Sequence, residues 1–205
     1  MARIAFLGTG LLGGAFAQAA AQRGDTVTAW NRSADKVAAL APFGVKAAAT
    51  AADAVRGAQR VHMVLKDDAV VDAVIAAALR GLEPGAVLLD HTTTFPVLTA
   101  ARSARLAAQG VAYLHCPVFM GPAAARNAQG SLMVAGPKAL FDRVQAALAA
   151  MTTRLEYMGE RTDLAAANKL FGNAMILSVS AAMADILALA QASDVDAQDA
   201  AKLLG

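Results

Sequence analysis

The chain is poor in the residues that would mark a disulfide scaffold, a metal centre or a nucleic-acid binder. A single cysteine, Cys116, stands among 205 residues. That excludes an internal disulfide and fits a reducing compartment, so a cytoplasmic location is expected. Three histidines, His62, His91 and His115, lie far apart and offer no metal-ligand spacing. Aromatic residues make up 5% of the sequence and charged residues 17%, with a formal net charge of +2. Lys and Arg occur singly instead of in a stripe, which argues against a nucleic-acid partner. What is plentiful is apolar, 57% with alanine dominant, and that indicates a helix-rich compact fold and not a disordered chain.

Two apolar runs imitate other structures. Residues 4–12, behind Arg3 and ahead of Ala15-Phe16-Ala17, have the outline of a secretory signal with an A-x-A cleavage site. The same residues satisfy a more demanding pattern, described below, and are read that way. Residues 170–184 are bounded by Lys169 and Asp185 and interrupted by Asn173, short of the ~20 apolar residues that cross a bilayer. No membrane partner is expected.

Short apolar runs alternate with Ala-rich amphipathic stretches as far as Leu155. Strands are predicted at 3–7, 26–30, 45–47, 60–65, 86–90 and 111–115, with helices at 11–23, 34–40, 51–56, 68–79 and 96–109 between them. Gly24-Asp25, Pro84-Gly85 and Gly110 fall where helices must stop. Two more strands, 131–135 and 154–157, flank a helix at 138–150. Such alternation implies βαβ units and a parallel sheet covered on both faces. From 163 to 192 no turn signal ends a helix, although Gly172 weakens it by ~1 kcal/mol relative to Ala. Ser193-Asp194 reads as a stop and Asp196 as the N-cap of a last helix, 197–204. The expected fold is α/β: a Rossmann, doubly wound, mostly parallel sheet over residues 1–162. A long interdomain helix and the start of a truncated all-α domain then occupy 163–205.

Gly8-Thr9-Gly10-Leu11-Leu12-Gly13 is G-x-G-x-x-G, following a predicted strand and opening a predicted helix, with a second strand at Thr26. That context makes it a dinucleotide fingerprint. Gly8 makes the tight turn, Gly10 lets backbone approach a pyrophosphate, and Gly13 lets the helix lie close to the strand. The helix N-terminus offers N–H groups to phosphate beside Leu11 and Leu12. An NAD site usually places a carboxylate at the end of the second strand, on the ribose 2′-OH. Here that place holds Asn31-Arg32-Ser33, with no carboxylate before Asp35. A carboxylate would repel a 2′-phosphate, whereas Arg32 can pair with one, so NADP(H) is expected over NAD(H).

These residues, with others downstream, resemble the β-hydroxyacid dehydrogenases, which include 3-hydroxyisobutyrate dehydrogenase and are related to 6-phosphogluconate dehydrogenase and, more distantly, to imine reductases. Phe6 through Gly13 is similar to the opening F-[IL]-G-x-G-x-M-G, with Leu12 in place of Met. Met63-Val64-Leu65-Lys66-Asp67-Asp68 stands where the family has M-L-P-[ND], a loop along the cofactor. Asp90 through Pro96 is similar to D-x-S-T-x-x-P, whose second hydroxyl residue, here Thr93, approaches the nicotinamide ribose. Cys116 through Gly121 takes the place of the substrate loop A-P-V-S-G-G. Lys169 and Asn173 match K-x-x-x-N, and Asp185 stands where the family often has Glu.

The resemblance implies an NADP(H)-dependent dehydrogenase or reductase acting on a hydroxy acid, aldehyde or keto compound. Lys169 would be the proton donor and Asn173 a substrate ligand one helical turn away. Phe119, Met120 and Gly121 would face the substrate, but Phe119-Met120 replaces Ser-Gly, removing a hydroxyl that holds a carboxylate and adding bulk. A larger, more apolar carbonyl compound then becomes plausible. The glycines that usually precede the lysine are also absent, with Asp163 and Ala165 in their place. Two alternatives stand: an imine reductase-like enzyme, or a module that binds the dinucleotide without chemistry. Cys116 is read as core packing. His91 and His115 are expected at the cleft, at strand C-termini. An apolar helix bearing Leu177, Ile186, Leu187 and Leu189 is expected to pair with a second copy as a homodimer.

Overall fold

The computed structural model describes residues 1–202. Contacts divide the chain into two compact units, Met1–Ala167 and a second beginning at Asn168. In the first unit six strands pair in parallel: β1 (Arg3–Leu7), β2 (Thr26–Trp30), β3 (Lys46–Ala47), β4 (Arg60–Met63), β5 (Val87–Asp90) and β6 (Ala112–His115). Their order in the sheet is β3-β2-β1-β4-β5-β6. The order reverses between β1 and β4, and open α/β sheets bind ligands at such a switch point. Three strands extend the sheet: β7 (Val118–Phe119), β8 (Ser131–Ala135) and β9 (Arg154–Gly159). β8 runs antiparallel to β6 and β7 and parallel to β9.

The continuous apolar runs are explained by a sheet buried on both faces. Successive strand side chains point to opposite sides, so Ile4 and Phe6 join one core while Ala5 and Leu7 join the other. The first core is completed by Phe16, Ala17 and Ala20 of α1 (Leu11–Gln22) and by Phe141, Val144 and Leu148 of α7 (Lys138–Ala149). The second takes Ala54 and Val55 of α3 (Ala51–Val55), Val71, Val74 and Ile75 of α4 (Asp68–Ala78), and Leu106 of α5 (Pro96–Ala108). Each fully buried Leu, Ile or Phe contributes roughly 1.5–3 kcal/mol.

Several boundaries differ from the sequence expectation. The strand expected to reach residue 65 ends at Met63, because Leu65 N–H leaves the ladder for Thr92 Oγ1 at 3.0 Å. α2 (Ala34–Ala38) gives way to a 3₁₀ turn, Ala41–Phe43, closed by Gly44 at φ +85°. α4 likewise ends one residue early, in the 3₁₀ turn Leu79–Gly81. Sequence reading missed β7 and α6 (Pro122–Arg126). Both are too short to show a period, although Gly121-Pro122 is a helix-start signal.

α8 (Leu164–Ala192) is one unbroken helix of 29 residues through Gly172. By length and composition it is apolar enough to cross a bilayer. Its uncharged segment 170–184 spans only ~22 Å, against a hydrocarbon core of about 30 Å. Asp194 at φ +54° turns the chain out of the course of α8, and Asp196 caps α9 (Ala197–Ala201) by accepting Gln198 N–H at 2.7 Å. The expected end of that helix at Leu204 lies outside the described residues.

Candidate dinucleotide site

The fingerprint occupies the bend from β1 into α1, and its three glycines are needed for different reasons. Gly8 has φ +93°, and a Cβ there would lie 2.3 Å from the Val64 carbonyl oxygen. A Cβ on Gly13 would lie 2.1 Å from Gly8 O, so glycine is what lets α1 pack against the turn. Gly10 is different: nothing lies within 4 Å of a Cβ built there. The fold makes no demand for glycine at position 10, and the open space above it belongs to a cavity of about 710 Å³ lined also by Gly8 and Gly13. Leu11, 85% exposed, and Leu12 line it from the first turn of α1, which carries no acidic residue. The unbonded N–H groups and positive dipole end of that turn face an anion favourably.

The end of β2 closes another side. Asn31 Oδ1 accepts Thr9 N–H at 3.1 Å and its Nδ2 donates to Ser33 O at 3.1 Å, so Asn31 ties the glycine turn to the loop after β2. Arg32 and Ser33 line the cavity, and the Ser33 side chain makes no capping bond to α2. Lys36, which the sequence analysis did not single out, lines it as well. It stands four residues after Arg32, a spacing that was legible but carried no motif. Leu65 and Lys66 enter from the loop after β4. Among the described residues, the lining holds Arg32, Lys36 and Lys66 and no carboxylate. Of the cofactor residues expected from sequence only Thr93 lies outside this lining, exposed on the loop after β5.

The expected substrate residues of the first unit sit elsewhere. Phe119 pairs with Ser131 across β7 and β8 and packs, half-buried, on the cluster of Met133, Ala135 and Ala165. Met120 packs against the larger core, and Gly121 is the exposed residue ahead of α6. In the second unit Lys169 and Asn173 are both half-buried, one helical turn apart on α8. Burial lowers the Lys169 pKa below the usual lysine value.

His91 and His115 do not line a cleft, contrary to the expectation. They are 3% and 1% exposed: the Phe16 ring of α1 lies 5.5 Å from that of His91, and His115 meets Thr94, which Thr99 of α5 holds by a hydrogen bond. The His91 ring nitrogen Nδ1 must donate to Cys116 O at 2.7 Å, since a carbonyl only accepts. Its Nε2 therefore accepts from His62 Nδ1–H at 3.0 Å. This neutral pair stacks in line with Phe6. Cys116 is buried and its thiol pKa is pushed up by desolvation, as suits a core residue.

A strand-turn-helix bend with a bare Gly10, at the switch point of a parallel sheet, defines a nicotinamide dinucleotide-binding Rossmann domain. Residues 3–159 match the family described as the NAD binding domain of 6-phosphogluconate dehydrogenase, and the chain belongs to that family. It is 28% identical over 200 residues to an uncharacterized oxidoreductase of Shewanella frigidimarina, covering 96% of this chain and 68% of that one. Of other curated relatives it spans as little as 34%. Among solved structures, an imine reductase of Streptomyces aurantiacus superposes with a TM-score of 0.91 at 30% identity, over 98% of this chain and 71% of that chain. The 3-hydroxyisobutyrate dehydrogenase of Mycobacterium tuberculosis does so with a TM-score of 0.90 at 25% identity, over 97% and 68%. The β-hydroxyacid dehydrogenase resemblance and the Rossmann fold expected from the sequence therefore hold.

Proposed function

We propose that the chain is an NADP(H)-dependent oxidoreductase of the β-hydroxyacid dehydrogenase type that interconverts a hydroxy acid or alcohol with the corresponding aldehyde or keto compound. The carrying observation is the cavity above Gly10, lined by Arg32, Lys36 and Lys66 and by no carboxylate. A pyrophosphate fits against bare backbone at the start of α1. Arg32 and Lys36 supply charge for a 2′-phosphate, and Ser33 a free hydroxyl. The bound nicotinamide supplies or accepts hydride. In the reducing direction negative charge grows on the carbonyl oxygen. The Lys169 ammonium stabilises that charge and transfers its proton to the oxygen, leaving a neutral amine that solvent reprotonates. Its lowered pKa brings that cycle nearer neutrality. Asn173, one turn along, orients the substrate or the lysine.

The replacement of a serine hydroxyl by Phe119 also supports an imine reductase-like activity, in which the acceptor is C=N. NADPH oxidation by the full chain against a panel of aldehydes, keto acids and imines tests both readings. Lys169→Ala should keep NADPH binding and lose turnover by a factor on the order of 100 or more. Unchanged turnover removes the lysine from the mechanism, and tight binding with no turnover on any substrate turns the reading to a sensing module. We assign the cytoplasm as its location, consistent with one unpaired, buried cysteine.

The partner proposed for α8 is a second copy of the chain. Phe171, Met175, Leu177 and Leu189 are each 68–70% exposed, a density of apolar surface that monomers rarely present. Leu187, also expected there, is half-buried. Sedimentation at micromolar concentration should give a dimer; a monomer would remove the assignment.

A further inference from the structure

The loops 64–67 and 91–95 follow adjacent strands and carry Leu65, Lys66 and Thr93. They are fastened together by groups outside the cavity lining. We propose that Asp68 and Arg102 form a clasp that fixes where Thr93 stands relative to Leu65 and Lys66, and so act as positioning residues for the dinucleotide. The proposal rests on reading the cavity as a dinucleotide site and Thr93, outside its lining, as a residue that meets the coenzyme.

The bonds of the clasp tie the two loops to α4 and α5 and to the ends of β5 and β6. Leu65 N–H donates to Thr92 Oγ1 at 3.0 Å, and Phe95 N–H donates to Asp68 Oδ2 at 2.9 Å. The other oxygen of Asp68, the first residue of α4, accepts from Arg102 Nη2 at 2.8 Å. Arg102 Nε donates to Asp72 Oδ1 at 2.8 Å, one turn along α4. Nη1 lies 4.0 Å from Asp90 Oδ2 and makes no hydrogen bond of its own. Asp90 in turn accepts Thr92 N–H at 3.0 Å and the Tyr113 hydroxyl at 2.8 Å.

Residue 94 is held from the other side. His115 Nε2 lies 2.9 Å from Thr92 O and must donate to it, leaving Thr94 Oγ1, 3.0 Å away, as a second acceptor. Thr99 donates its hydroxyl to Phe95 O at 2.9 Å and accepts that of Thr94 at 2.6 Å. Thr92 and Thr94 are thereby buried and pinned, and Thr93 between them is the residue turned outward.

The Arg102 side chain is 0% exposed. A buried charge with its carboxylates contributes little net stability compared with apolar packing, because desolvation offsets the attraction. What the array does contribute is geometry: the guanidinium fork fixes Asp68, and Asp68 fixes the backbone of Phe95. Loop placement within a fraction of an ångström is what a preorganised binding site requires.

The test is a double-mutant cycle in the full chain, read as the NADPH and NADH dissociation constants with melting temperature recorded beside them. Asp68→Asn puts an NH₂ where an acceptor stood, so it faces either Arg102 or Phe95 N–H. It should weaken NADPH binding about tenfold. Thr93→Val alone should also weaken binding. The double variant should bind no worse than Asp68→Asn, because Thr93 contributes only while the clasp holds it. Arg102→Lys, which keeps the charge and loses the fork, should reproduce the loss, and it carries the cycle if Asp68→Asn does not fold. Lowered melting with unchanged affinity, or losses that simply add, would overturn the clasp. A wild-type chain that binds neither coenzyme overturns the cavity reading and the clasp together. A wild-type chain that binds while both clasp variants match it overturns the clasp alone.

Discussion

Arg32 and Lys36 are exposed cations on one wall of a cavity whose described lining has no carboxylate. Exposed pairs are screened and individually weak, but a 2′-phosphate carries up to two negative charges and three acceptor oxygens. Arg32→Ala and Lys36→Ala should each weaken NADPH binding by about tenfold while changing NADH binding by less than about twofold. Titration with both coenzymes checks this, and equal losses for the two would place the residues away from the 2′ position. Arg32 was legible in the sequence because the residue type at the end of the second strand carries the cofactor argument. Lys36 was not, since nothing short of coordinates puts a lysine of the next helix on the same wall. The histidines failed for the opposite reason. Their position at strand ends was read correctly, but their burial beside Phe16 and Thr94 is a property of packing.

At the scale of elements, the bend from β1 to α1 separates what the fold needs from what the ligand needs. Gly13→Ala would drive a methyl to 2.1 Å from Gly8 O and must displace the helix. It should destabilise by about 2 kcal/mol or more, as overpacking does. Gly10→Ala meets nothing within 4 Å and should leave the melting temperature within a few degrees. It would still fill space above the helix N-terminus, weakening coenzyme binding by about tenfold or more. Thermal melts and coenzyme titration of the two variants should therefore show opposite patterns. Loss of stability in Gly10→Ala with full binding would refute this division. The helices α1, α4, α5 and α7 were legible because period 3.6 repeats several times over their eleven to thirteen residues. β7 and α6, two and five residues long, hold barely one repeat and carried no motif.

Taken as a whole, the molecule buries all three of its histidines, and burial lowers the pKa of each. His62 falls well below 6.5, His91 goes to about 4, and His115 is lowered as well. The folded state therefore binds fewer protons than the unfolded chain between the two pKa values. Stability is complete above about pH 6.5, falls as pH drops, and levels off once the folded-state pKa is passed. For His91 alone the loss is about 3 kcal/mol across that window. Urea midpoints should fall steadily from about pH 7 to about pH 4.5, above the range in which Asp72, whose pKa the arginines Arg102 and Arg105 lower, is protonated. A midpoint flat over that range would show that the histidines titrate normally.

The order of strands and helices, the glycine turn and the cationic end of β2 were all fixed by local sequence, because each depends on residues within a few positions of one another. Which glycine serves backbone geometry and which serves ligand space depends on neighbours such as Val64 O, over fifty residues away. The same holds for the Asp68–Arg102–Asp90 array and the inward turn of the histidines. Contacts between distant segments exist only once the sheet has brought β1, β4, β5 and β6 side by side, so tertiary structure alone decided them.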